Sequence, residues 1–310
     1  MTGRLRADAA STGVAAAFAA VVLWSTNALA AKLALAELGV VQVLALQFGG
    51  AAATLAMLRA ARSARAGGSG ETARRSSLRW PEVMGGVIVG VVGLTGTISL
   101  QYLAFATAPI VEANVVAYGW PLFAALWAAL AYRSRQTLVG VPLAMVGFAG
   151  VALILGSGGG FASAVGSTVG YVAALASAAC MTFFTVASGR SRVPADSSLL
   201  LATVCGAVFA VALCVAGLAP WAWSAAGPGA WVASVYAGVG PMAGGFLLWG
   251  LAMSGDGARR LAPLGYATPL LSTALLLLFG ETLSPVALLG AALVLVCSVG
   301  VLIVDGKGRG

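Results

Sequence analysis

An all-α integral membrane protein of ten transmembrane helices, arranged as two inverted five-helix repeats, is the fold this sequence predicts. Three observations carry the prediction. The chain is 60% hydrophobic and 8% charged, with a mean hydropathy of +0.99, whereas soluble domains carry about 25% charged residues. Its apolar residues gather into runs of about twenty, the length that crosses ~30 Å of hydrocarbon at 1.5 Å per residue. Its basic residues sort to one side. With ten spans and an inside amino terminus, all 17 Lys and Arg residues except Lys32 fall in inside segments, as the positive-inside rule requires.

Residues 1–11 are polar and include Arg4 and Arg6. The first apolar run covers about 12–35 and contains a polar insert, Trp24, Ser25, Thr26 and Asn27. A basic start, an apolar run and the small-residue triplet Ala28, Leu29, Ala30 also fit a cleaved signal peptide. The run is long for one, however, and the insert is out of place in a segment to be discarded. The second run, about 40–60, leads into loop 61–79, where Arg62, Arg65, Arg74, Arg75 and Arg79 surround Gly67, Gly68, Ser69 and Gly70. That composition reads as a flexible surface loop. Further runs lie at about 81–104, 109–132, 137–156, 167–189, 197–218, 230–253, 261–280 and 284–304. Arg133 and Arg135, Arg190 and Arg192, Arg259 and Arg260 follow the fourth, sixth and eighth spans, and Lys307 and Arg309 close the chain. One span more or fewer in the middle would scramble this alternation, so both termini are expected in the cytoplasm.

The 42 glycines and the abundance of alanine suit closely packed membrane helices. Cys180, Cys205, Cys214 and Cys297 all fall in apolar runs and none forms a CxxC pair, so neither a disulfide framework nor a zinc site is indicated. There is no histidine, which removes the commonest metal ligand and general base. No metal or cofactor is expected. The net charge of +8 resides in the loops and calls for no nucleic acid.

An offset of 148 residues pairs Tyr118-Gly119-Trp120-Pro121 with Tyr266-Ala267-Thr268-Pro269. The chain then divides into 1–156 and 157–310, joined near Gly158, Gly159 and Gly160. Five spans per half is an odd number, so the second half enters the membrane from the opposite face. Substrate sites in such folds lie near the midplane, where Gly or Pro interrupts corresponding helices. The fourth and ninth spans fit that description. Residues 112–121 pack Glu112, Asn114, Tyr118, Gly119, Trp120 and Pro121 into an apolar run. Polar groups at that depth are costly and usually face a bundle interior or a wet cavity, and proline loosens the helix. A structural kink with aromatic packing is the plainer alternative.

Ten spans in two halves, the Trp24-Ser25-Thr26-Asn27 insert and Gly280-Glu281-Thr282-Leu283-Ser284-Pro285 before the last span resemble the drug/metabolite transporter superfamily, EamA branch. Glu112 followed by Tyr118-Gly119-Trp120-Pro121 is similar to its YddG-type aromatic amino-acid exporters. The resemblance implies a central cavity among helices one, three, four, six, eight and nine. It also implies export of small molecules from the cytoplasm, across the inner membrane of a bacterium, by a chain that needs no cofactor.

An amino-acid substrate needs donors for its carboxylate, acceptors or π-faces for its ammonium, and apolar walls for its side chain. Candidates are Trp24, Ser25 and Asn27 in span one, Gln47 in span two, and Gln101 and Tyr102 in span three. Asn114, Tyr118 and Trp120 come from span four, Thr182 and Phe183 from span six, Trp249 from span eight, and Tyr266 and Thr268 from span nine. With no Arg or Lys at mid-membrane, neutral donors or helix amino termini at the Pro121 and Pro269 breaks would hold the carboxylate. Each hydroxyl has a plainer reading, bonding back to its own helix, and Trp80, Trp221, Trp223 and Trp231 read as interfacial anchors. Lys32 and Glu112 both fall toward the outer end of their spans and are candidates for gating or coupling, either as a pair or separately.

Other classes are poorly served. An intramembrane serine protease needs a histidine, an aspartyl protease needs two membrane aspartates, and no G-x-x-x-x-G-K-[ST] supports nucleotide binding. Within transporters, an exporter of another metabolite or of aromatic or cationic drugs is the alternative.

Overall fold

Hydrocarbon offers no hydrogen bonds, so apolar runs of this length must satisfy their backbone groups within helices. The computed structural model describes residues 2–65, 80–132, 135–157, 165–188, 193–219, 223, 226–253, 261, 264–265 and 267–307. Among them every regular element is helical. Helix α1 joins Thr2–Ser25 to Asn27–Leu35, and α2 is Val40–Arg65. Helix α3 runs through Trp80–Ile88, Val89–Thr95 and Gly96–Thr107. Helix α4 joins Ile110–Ala117 to Trp120–Tyr132, α5 is Arg135–Ser157, α6 is Val165–Ser188 and α7 is Ala195–Val215. Helix α8 runs through Pro228–Ala237, Gly238–Gly245 and Phe246–Met253. Helix α9 is Ala267–Leu278, and α10 is Pro285–Lys307.

These ten helices follow the ten expected runs in order. Among the described residues seven stretches are long and apolar enough to cross a membrane, and Gly140–Ile154, Ala267–Leu278 and Pro285–Cys297 are shorter apolar ones. Helix α9 departs furthest from expectation. It has 12 residues rather than the span anticipated over 261–280. Pro269 has no N–H to bond back along the chain, so it is tolerated in the first turn and not in the interior.

The interruptions have local causes. In α1, Ser25 Oγ donates to Val21 O at 2.7 Å and Thr26 Oγ1 to Leu23 O at 2.7 Å, side-chain bonds that compete with the backbone ladder. In α4, Pro121 lacks the N–H that would bond Ala117, and Gly119 closes a tighter turn through its N–H to Val116 O at 3.0 Å. In α3 and α8 the ladder widens to π-helix over Val89–Thr95 and Gly238–Gly245, a feature frequent at functional sites. The 148-residue offset that aligns the two Tyr-x-x-Pro elements brings Val89 to Ala237 and Thr95 to Ala243, so the two widened stretches overlay.

Packing repeats in the same way. Helix α2 packs along α7 and α5 along α10; α3 packs on α6 and α7, and α8 on α1 and α2. Adding five to each helix number, and cycling past ten, returns these same pairs. Lipid tails are as apolar as the helices, so close van der Waals fit through small residues must drive association. Gly150 and Gly290 show it. A Cβ on Gly150 would lie 2.7 Å from Gly290 O, and one on Gly290 would lie 2.5 Å from Gly150 O.

Candidate transport cavity

The breaks in α1 and α4 and the widened turns of α3 and α8 surround a cavity of about 830 Å³. Trp24, Asn27, Gln47, Gln101, Tyr118, Trp120, Trp249 and Pro269 of the expected set line it. Tyr102 OH donates to Asn27 Oδ1 at 3.0 Å, which leaves Asn27 to offer the cavity its Nδ2 donor. The Trp24 ring lies 5.2 Å from Phe246, edge to face, and 5.3 Å from Trp249, while Phe184 meets Phe246 at 6.4 Å. The indole needs glycine beneath it: a Cβ on Gly245 would lie 2.6 Å from Trp24 Nε1. That Nε1 is buried and unpartnered. Gln47 lies beside Tyr102, yet neither its Oε1 nor its Nε2 makes a geometrically formed hydrogen bond.

Other expected residues are near the cavity but serve the frame. Ser25 Oγ lies 3.3 Å from Thr268 O as well as bonding its own helix. Asn114 Nδ2 donates to Ser272 Oγ at 3.2 Å, and Thr268 is fully buried. Thr182 Oγ1 is 2.9 Å from Ala178 O and 3.0 Å from Trp120 O, so it ties α6 to the break in α4. Phe183 corrects the expectation outright. It is 39% exposed on the outer face, and its neighbour Phe184 lines the cavity instead; one residue is a rotation of about 100° around a helix. Pro121 shapes the α4 break and does not itself line the cavity. Tyr266 lies outside the described residues, as do most of the loop arginines.

The two outer charges do not pair with each other. Lys32 Nζ is 2.8 Å from Glu281 Oε1 and donates to Phe279 O at 2.9 Å. Gly280, between those partners, has φ +90°, a conformation that favours glycine and that turns both acceptors toward one ammonium. Glu112 instead accepts a hydrogen bond from Tyr171 OH on α6. Glu37 Oε2 accepts from Gly227 N at 2.6 Å at the same end.

None of those residues lines the cavity. At its other end the cavity runs to Arg62, Ser188, Asp196 and Met253, which lie at the last turns of α2, α6 and α8 and the first turn of α7. This is the end that carries the basic loops. Thr97, Ser177, Met181, Ser198 and Met242 also line the cavity and were not anticipated. Isolated hydroxyls and methionines in an apolar run carry no signal of their own. Arg62 was read as a loop charge.

The breaks, the aromatic wall and the ten-helix packing define a membrane transporter. Residues 11–156 match the EamA-like transporter family, and the chain belongs to that family as a multi-pass membrane protein. It is 34% identical over 273 residues to the aromatic amino acid exporter YddG of Ancylobacter novellus, covering 85% of this chain and 87% of that one. A protein of known crystal structure, 30% identical, superposes with a TM-score of 0.63 over 96% of this chain and 99% of its own.

Proposed function

We propose that this chain exports amino acids, aromatic and other neutral ones, from the cytoplasm by alternating access, and that the conformation described above is open to the cytoplasm. The observation that carries the reading is the cavity wall. Indole and phenyl faces of Trp24, Phe246 and Trp249 stand beside the amides of Asn27, Gln47 and Gln101, a set that accepts an aromatic ring and offers uncharged donors and acceptors to a zwitterion. Similarity to an aromatic amino acid exporter supports it. The recurrence of packing, π-helix and Tyr-x-x-Pro across residues 1–156 and 157–310 supports an inverted-repeat architecture, which in secondary transporters rocks about a fixed midplane site. The charge sorting supports both termini in the cytoplasm, and the family resemblance supports a bacterial cytoplasmic membrane.

Efflux of aromatic or cationic drugs is the second reading. The same aromatic cluster favours it, because π-faces attract a cation by roughly 0.5–2 kcal/mol without requiring a carboxylate site. Counterflow in proteoliposomes separates the two. Vesicles loaded with unlabelled phenylalanine should accumulate labelled phenylalanine or tryptophan with no imposed ion gradient. Accumulation of a lipophilic cation alone moves the protein to drug efflux.

A further inference from the structure

We infer that Arg62 and Asp196 form a mouth subsite that takes the two charged ends of a zwitterion, Arg62 the carboxylate and Asp196 the ammonium. The inference rests on the amino-acid reading and deepens it. Arg62 and Asp196 are the only charged side chains among the described residues that line the cavity, and they are opposite in sign. They stand in the last turn of α2 and the first turn of α7, helices that pack along each other, so their bases are held in a fixed relation. A small side pocket lies against both of them and against Arg59 and Leu247, and Leu247 also lines the main cavity.

No salt bridge joins the two. The contrast with the closed end is informative, since there an ammonium and a carboxylate meet at 2.8 Å. Arg59, one turn before Arg62, is tethered by its NH1 to Ser197 Oγ at 3.2 Å, and Asp196 Oδ1 accepts only the adjacent Ser197 N–H at 2.9 Å. Arg62 therefore keeps a guanidinium fork, which matches a carboxylate in two-point geometry, and Asp196 keeps a free oxygen. Among the described residues the deeper wall is neutral, and the full charges that line the main cavity are these two, with Arg59 beside them in the side pocket.

The test is competition against phenylalanine counterflow by three compounds that share one ring: phenylalanine itself, phenethylamine, which lacks the carboxylate, and 3-phenylpropanoate, which lacks the ammonium. Loss of a charge-assisted contact should cost about tenfold in half-inhibitory concentration. Arg62→Gln should weaken phenylalanine and 3-phenylpropanoate and leave phenethylamine unchanged. Asp196→Asn should weaken phenylalanine and phenethylamine and leave 3-phenylpropanoate unchanged, and Arg62→Lys should recover part of the loss. Equal shifts for all three compounds, or none, in variants that purify as monodisperse protein would overturn the subsite while leaving amino-acid export intact. If the wild type shows no phenylalanine counterflow, the export reading fails instead. The subsite is then read against counterflow of a labelled lipophilic cation, where a phenethylamine loss confined to Asp196→Asn supports its acidic half and a flat response overturns it.

Discussion

Asn27 shows how one amide is made useful. Its carbonyl is occupied by the Tyr102 hydroxyl, so its remaining polarity is the amide N–H donor of a residue that lines the cavity. Asn27→Ala should raise the half-saturating phenylalanine concentration about tenfold, the effect of one lost hydrogen bond in a low-dielectric site. Tyr102→Phe should raise it less, since Asn27 keeps its place but is free to turn. Unchanged apparent affinity in both would remove this pair from the site. Asn27, Trp24 and Tyr118 were legible in the sequence because amides, indoles and phenols in an apolar run must be accommodated somewhere. The choice between Phe183 and Phe184 was not, because the phase of a helix depends on which neighbours it packs against. Nor were Arg62 and Asp196, since a charge at a span end looks the same whether it faces lipid headgroups or a cavity mouth.

At the scale of the element, α1 and the turn after α9 close the end of the cavity away from the basic loops. Lys32 meets both Glu281 and Phe279 O there. For substrate to leave on that side this contact must open. Glu281→Gln should therefore favour the outward-facing conformer and raise the labelling of a cysteine placed at Gln101 by an impermeant thiol reagent added outside, in a background where the four native cysteines are replaced. Lys32→Glu combined with Glu281→Lys should restore the wild-type labelling. A rate unchanged by Glu281→Gln would mean the pair is incidental to closure, as many exposed ion pairs are. The ten helices were readable from apolar run length and charge sorting, and the Tyr-x-x-Pro pairing from the 148-residue offset. The π-helical turns were not, because Val89–Thr95 and Gly238–Gly245 share only small residues, and widening of the ladder is decided by the helices packed beside them.

For the whole molecule, the packing of α5 on α10 and the open mouth make separate demands. The α5–α10 seam is static structure. Gly150→Val should destabilise the protein by about 2–4 kcal/mol, because the added carbons meet the Gly290 carbonyl and cannot relax into a rotamer. The same change at Gly85, which has nothing within 4 Å, should shift the melting temperature little. Under alternating access the mouth is the part that must move. Ser188 at the end of α6 and Met253 at the end of α8 both line it, and alternating access requires that opening to narrow when the far side opens. With the native cysteines replaced, cysteines at Ser188 and Met253 bridged by a long, rigid bifunctional reagent should arrest counterflow, and a short reducible tether should release it on reduction. Modification of either cysteine alone by the monofunctional analogue should leave most of the transport. Full counterflow in the rigidly bridged protein would mean that this mouth stays open throughout the cycle, as in a channel, and alternating access would have to be given up.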